Sequence, residues 1–258
     1  MRPLLFLILA LFAICLPAKA GPVEPINYGY RILETYPHAR DAFTQGLFFD
    51  DGALYESTGQ YGASTLRKVD LETGAVLQQT ALPQTHFGEG AAIVDGDIFV
   101  ISWREKTAFR FDSEAFTLKS HHAYEGEGWG LTYDGEALIM SDGTAQLRFY
   151  NPLDFTEIRQ LGVTLRGNPL PQLNELEWIN GEIYANVWQT NAVVRIDPSS
   201  GAVTGVIDLR GLLSDEDFTP GETDVLNGVA WKGEKNILYV TGKNWPKLFK
   251  IELIELTN

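Results

Sequence analysis

The chain has 258 residues, 45% of them hydrophobic and 12% aromatic, with one cysteine and a formal net charge of −14. That acidity argues against nucleic acid and anionic membrane surfaces as partners. A single cysteine cannot close a disulfide within the chain, so stability must come from a sizeable hydrophobic core.

The first element is Met1-Arg2-Pro3 followed by an apolar run from Leu4 to Leu16 and the close Pro17-Ala18-Lys19-Ala20. A basic start, an apolar core of this length and an Ala-x-Ala end predict a signal peptide cleaved after Ala20, and not a retained membrane anchor. Ile14 stands before Cys15 where a lipoprotein signal needs a small residue, so no lipid anchor is expected. The exported chain, residues 21–258, would be periplasmic or secreted. It would have no thiol, and losing Arg2 and Lys19 makes its charge two units more negative.

Residues 26–35 (Ile-Asn-Tyr-Gly-Tyr-Arg-Ile-Leu-Glu-Thr) alternate as a strand without a neighbour of their own. Beyond them no long helical pattern appears. Short runs rich in Val, Ile, Tyr, Phe and Trp are joined by Asp51-Gly52, Asp95-Gly96, Asp134-Gly135 and Asn180-Gly181, which signal tight hairpins.

These runs repeat. Units open at Gln45-Gly46-Leu47, Glu89-Gly90-Ala91, Trp129-Gly130-Leu131, Asn174-Glu175-Leu176 and Asn227-Gly228-Val229, at intervals of 44, 40, 45 and 53 residues. In each unit a second strand ends on a small polar residue: Ser57, Ser102, Ser141, Asn186 or Thr241. Four strands per unit of this length predict an all-β chain folded as a five-bladed β-propeller in one domain. The last unit shows only three strands (226–232, 237–243, 247–254), so the run 26–35 is expected to complete it and close the ring. Two connections are irregular: the Pro/Gly-rich 162–172, and 213–224 with Asp215, Glu216, Asp217, Glu222 and Asp224. The acidic one reads either as a solvated loop or short helix, or as a site for a cation or cationic ligand.

Taken alone, Phe87-Gly88-Glu89-Gly90 is a Gly-rich turn with a solvated glutamate. In a propeller, however, the unit starts ring one mouth of the central channel. That ring holds Gln45, Glu89, Trp129, Asn174 and Asn227, one carboxylate among amides and an aromatic, the composition of a small-molecule site. The second-strand ends add Trp103, Trp188 and Lys243, with Arg104 and Asp142 nearby. For the tryptophans the competing explanation is burial between blades; for Lys243 it is an ordinary surface lysine. Histidines 38, 86, 121 and 122 have no metal-ligand spacing, and no nucleophile elbow, phosphate loop or dinucleotide fingerprint is present. No metal or cofactor is expected.

Phe43-Thr44-Gln45-Gly46-Leu47, Phe87-Gly88-Glu89-Gly90, Glu127-Gly128-Trp129-Gly130-Leu131-Thr132 and Ser141-Asp142-Gly143 carry a resemblance. So do Leu173-Asn174-Glu175-Leu176-Glu177, Ala185-Asn186-Val187-Trp188-Gln189, Val225-Leu226-Asn227-Gly228 and Thr241-Gly242-Lys243-Asn244-Trp245-Pro246. Across about residues 43–250 the sequence resembles the plant-type (papaya-like) glutaminyl-peptide cyclotransferases and their bacterial relatives. The resemblance implies a five-bladed propeller that cyclises the N-terminal glutamine of peptides to pyroglutamate with release of ammonia, without zinc. It implies Glu89 as the catalytic acid/base and Gln45, Trp103, Trp129, Asn174, Trp188, Asn227 and Lys243 as substrate-binding residues. The expected partners are peptides with N-terminal glutamine, bound by a monomer. The alternatives are a non-catalytic exported propeller binding peptides or sugars on the same rim, and a metal-dependent lactonase-like propeller, which would need several convergent carboxylates and histidines.

Overall fold

A computed structural model describes residues 23–257; the expected signal peptide lies outside them. Every regular element among the described residues is a strand, and no helix is long and apolar enough to cross a membrane.

After β1 (Ile26–Pro37), three four-stranded antiparallel sheets follow in chain order. The first is β2 (Thr44–Asp50), β3 (Ala53–Thr58), β4 (Thr65–Val69) and β5 (Val76–Ala81). The second is β6 (Gly88–Val94), β7 (Asp97–Ser102), β8 (Thr107–Asp112) and β9 (Leu118–Ala123). The third is β10 (Leu131–Tyr133), β11 (Leu138–Ser141), β12 (Gln146–Tyr150) and β13 (Glu157–Gly162). The irregular connection 162–172 contains a small hairpin, β14 (Thr164–Leu165) with β15 (Asn168–Pro169). Next come β16 (Leu173–Ile179), β17 (Glu182–Val187), β18 (Ala192–Ile196) and β19 (Val203–Asp208), then β20 (Leu226–Ala230), β21 (Ile237–Gly242) and β22 (Lys247–Glu255).

The N-terminal run is used as expected at one edge: β1 lies antiparallel to β22, with a bulge between Ile32 and Glu34. Its other edge does something the alternation did not announce. Ile26–Tyr28 pair in parallel with Gly205–Ile207 of β19, which joins the last seven long strands and β1 into one eight-stranded sheet. A strand has two hydrogen-bonding edges, and β1 has both occupied near its start.

The Asp-Gly and Asn-Gly signals hold at three places. Asp51-Gly52, Asp95-Gly96 and Asn180-Gly181 all take positive φ at both residues, as two-residue hairpins matched to strand twist require. The fourth differs. Asp134-Gly135 belongs to a four-residue loop between Tyr133 and Leu138, in which Asp134 Oδ1 accepts hydrogen bonds from the amides of Glu136 and Ala137.

Consecutive residues along the middle strands serve different cores, because side chains alternate across a strand and both faces are covered. On β7, Ile98 and Val100 pack with Phe48 and Leu66 of the first sheet, while Phe99 and Ile101 pack with Leu131 and Met140 of the third. A further cluster joins Leu47 and Leu54 to Ala230, Tyr239 and Leu248, bringing the end of the chain against its beginning. The first strands of successive groups are neighbours in a closed order, β2 beside β6, β6 beside β10, β10 beside β16, β16 beside β20 and β20 beside β2.

Glycine permits this approach. A Cβ at Gly46 would lie 2.6 Å from Ala91 N, and one at Gly90 or Gly130 would run into the backbone of the next first strand. The corresponding position in the fourth group is Glu175. Its side chain fills the middle instead, accepting from the amides of Leu47 at 3.2 Å and Val229 at 2.9 Å on either side.

Candidate functional site

The residues that open the repeats sit where the ladder breaks. Between first and second strands the register shifts at Thr44/Gly46, Gly88/Ala91, Leu173/Leu176 and Leu226/Val229. A bulge re-aims a side chain out of the alternation, and here it turns Gln45, Glu89, Asn174 and Asn227 towards one end of the closed ring. In the third group β10 begins only after Trp129, whose amide donates to Ser141 O at 2.9 Å. The small polar residues closing the second strands hold these breaks in place. Ser57 Oγ donates to Glu89 O at 2.6 Å, Ser141 Oγ to Asn174 O at 2.7 Å, and Asn186 Oδ1 accepts from Gly228 N at 3.1 Å.

The result is one cavity of about 290 Å³, at the lower end for small-ligand sites. Gln45, Glu89, Trp103, Trp129, Asn174, Trp188 and Lys243 all line it, seven of the eight residues singled out from sequence. The eighth, Asn227, stands behind the wall. Its Nδ2 donates to Gln45 Oε1 at 3.2 Å and to Thr44 O at 3.0 Å, which leaves the Gln45 amide NH2 as the end free for a ligand. Phe43, Gln60 and Phe87 complete the lining. Phe43 and Phe87 precede Gln45 and Glu89 by two residues, the spacing that returns a strand to the same face, so the repeat contained the signal.

Glu127 occupies that same offset before Trp129, and it organises the aromatic wall. Its Oε2 accepts the indole N–H of Trp103 at 2.7 Å and that of Trp129 at 3.1 Å, and its Oε1 accepts from Arg104 Nε at 3.1 Å. The Arg104 guanidinium in turn covers the Trp103 ring at 3.7 Å. Burial works to raise the Glu127 carboxyl, but the donors from Trp129, Trp103 and Arg104 hold it below the usual range. Trp129 and Trp188 meet edge to face, with centroids 5.4 Å apart. Asp142, expected nearby, is drawn to Arg148 Nε at 3.6 Å and does not line the cavity.

Lys243 is not an ordinary surface lysine. It is 5% exposed, with Nζ 4.8 Å from the centre of the Phe43 ring. Burial pushes its ammonium below the ordinary lysine value, and the Glu89 and Asp224 carboxylates oppose the shift. Glu89 is likewise 5% exposed, and among the described residues no hydrogen bond reaches its carboxylate. Burial pushes its carboxyl well above the usual range; Lys243 pulls it down, while Glu127 and Glu105 add to the rise. A carboxyl and an amine driven toward each other's range in a shared cavity form the pattern of groups tuned for proton transfer.

Outside the cavity, His38 bonds Glu56 Oε1 at 3.0 Å and Trp245 O at 2.7 Å, fastening the loop that carries Lys243. Asn174 Oδ1 is buried without a hydrogen-bond partner. No cluster of three or more His, Cys, Asp or Glu arranged for a metal occurs among the described residues.

Comparison with known proteins converges with this geometry. The sequence pattern of the glutamine cyclotransferase family matches residues 5–253. A glutaminyl-peptide cyclotransferase of Arabidopsis thaliana is 42% identical over 228 residues, 86% of this chain and 70% of that protein. The crystal structure of Myxococcus xanthus glutaminyl cyclase superposes with a TM-score of 0.84 at 38% identity, over 91% of this chain and 100% of that one.

Proposed function

The chain belongs to the glutamine cyclotransferase family, and from that premise we propose that it closes the N-terminal glutamine of peptides to pyroglutamate and releases ammonia. The observation that carries this reading is the pair Glu89 and Lys243, both buried in a cavity walled by Trp103, Trp129 and Trp188.

The α-amine of the peptide attacks the carbon of its own γ-carboxamide, forming a C–N bond within a five-membered ring. Because nucleophile and electrophile share one residue, the protein has only to select the folded-back conformer and to move protons. Glu89 takes a proton from the attacking amine and delivers one to the carboxamide nitrogen, whose bond to carbon then breaks to give ammonia. A carboxyl raised by burial holds that proton at a pH where an ordinary glutamate would not. Lys243, the Gln45 NH2 and Asn174 are the groups available to hold the developing oxyanion and orient the amide. The tryptophans flank the short side chain and exclude water.

The same reading extends to the whole protein. The four groups of strands and the closing set β20, β21, β22 and β1 are taken as five propeller blades, supported by the cyclic neighbours of the first strands. The N-terminal segment is taken as an export signal, and residues 21–258 as one catalytic domain of a bacterial protein acting as a monomer. The transfer is assigned to side chains without a metal, so a chelator is expected to leave the rate unchanged.

The test is ammonia release from Gln-Gly by the wild-type protein and by Glu89→Gln. The wild type should release ammonia, and the variant should lose on the order of 10²–10⁴ in kcat. Binding without ammonia release would instead establish a non-catalytic propeller, and near-normal turnover by Glu89→Gln would remove Glu89 from the proton path.

A further inference from the structure

A second cavity, of about 480 Å³, adjoins the first. Residues adjacent in sequence or joined by backbone hydrogen bonds line the two. Trp188 lines the first cavity and Gln189 the second. Lys243 lines the first, and its backbone is bracketed by residues of the second: Asp224 N donates to Lys243 O at 3.0 Å, and Lys243 N donates to Val225 O at 2.9 Å. The floor is apolar, with Leu212, Leu226 and Trp245 buried, and the rim carries Asp215, Phe218 and Asp224.

A peptide that places its N-terminal glutamine in the first cavity must lead the rest of its chain out over the rim. On one side the rim is closed by the Arg104–Glu127 ion pair and by Tyr61 donating to Glu105 at 2.8 Å. On the side of Trp188 the next residue, Gln189, already lines the second cavity. An extended chain advances ~3.5 Å per residue, so the residues that follow the glutamine are the ones that pass Trp188 and meet Gln189. The rim there is prepared for a cation with an apolar stem. Asp217 is committed to Lys247 at 2.6 Å, but among the described residues neither Asp215 nor Asp224 is in an ion pair. Phe218 is 47% exposed at the edge. Lysine and arginine side chains bury their methylene stems on such surfaces while keeping the charge at a carboxylate.

We propose that the cavity formed by the 209–226 segment and the Gln189 turn is a subsite for the residues that follow the substrate glutamine, selecting a basic side chain. The proposal rests on the cyclotransferase reading and adds a preference to it. It also gives the acidic segment 213–224 a role that solvation alone would not.

The experiment compares ammonia release from Gln-Gly, Gln-Gly-Lys-Gly and Gln-Gly-Glu-Gly, using the full-length exported protein as wild type, Asp215→Asn and Phe218→Ser. Both substitutions are at exposed positions and leave the first cavity intact. The wild type should show kcat/KM at least about fivefold higher for the lysine peptide than for the glutamate peptide, with the ratio shrinking as salt screens the rim. Each variant should lower that ratio while Gln-Gly turnover stays unchanged. Equal rates for the two longer peptides, a ratio that neither variant moves, or an equal loss on Gln-Gly would each overturn the subsite. Absence of ammonia from Gln-Gly with the wild type would overturn the cyclotransferase reading, and the subsite with it.

Discussion

Asn227 Nδ2 donates to Gln45 Oε1 at 3.2 Å across 182 residues of sequence, so a residue that never faces the cavity sets the orientation of one that does. Asn227→Ala should therefore act through Gln45. The expected result is a loss of about tenfold in kcat/KM for Gln-Gly, in line with one buried hydrogen bond and the freed acceptor it leaves. Asn227→Asp, which keeps the size and removes the donor, should reproduce most of that loss in steady-state assays.

Glu127 bears on two walls at once. Glu127→Ala leaves the indole N–H groups of Trp103 and Trp129 without their acceptor and frees Arg104 from its partner. If the loss of positioning is that of one hydrogen bond to a charged group, about 1.5–3 kcal/mol, kcat/KM should fall by roughly ten- to a hundredfold, mainly through KM. The tryptophan emission should move to longer wavelength as the rings gain water. An unchanged spectrum and KM would show that the wall stands without Glu127.

Close approach around the ring is the most brittle feature. Gly90→Ala puts a methyl group into the backbone of Gly130 and Leu131. Overpacking of a fixed site costs about 1–3 kcal/mol, and backbone has less room to yield than a side chain. Chemical denaturation should show a loss at or above the upper end of that range, with ammonia release falling in parallel because Glu89 is the preceding residue.

The pH dependence of stability should carry the mark of Glu175. Burial pushes its carboxyl up to about 8, against the pull of the Val229 and Leu47 amides. A group whose folded pKa is raised gives its full stabilisation below the unfolded value of 4.5 and loses it as pH climbs to the folded value. The thermal midpoint of the wild type should thus decline between pH 5 and pH 8. Glu175→Gln, which mimics the protonated acid, should flatten that decline. An equal slope in both proteins would assign it to other groups.

Much of the site was legible because a repeat makes distant positions equivalent. Gln45, Glu89, Trp129 and Asn227 could be aligned by the glycine that follows each, and all four with Asn174 by the small polar residue 12 to 14 positions later. Ser57 and Ser141 then prove to be the very groups that tie those openings to the next sheet. Less legible were side chains whose role depends on another sheet. Glu127 gains its meaning from Trp103, 24 residues earlier and in the preceding unit, and no spacing within its own unit announces that pairing. The Asp134-Gly135 turn shows the limit of local chemistry: the dipeptide fits a two-residue hairpin, yet Asp134 spends its carboxylate on the amides of Glu136 and Ala137 and lengthens the loop.

Periodicity and turn residues act locally along the chain, so the all-β class, the repeat and the residue types that meet at its openings could be read before folding. Tertiary structure decided how deep each group lies and whom it faces. It withdrew Asn227 behind Gln45, buried Lys243 beside Glu89, and paired β1 with β19 as well as with β22. Desolvation and hydrogen-bond partners depend on neighbours that only the ring of strands supplies, and burial there pushes the carboxyl of the glycine-flanked Glu89 well above its usual range.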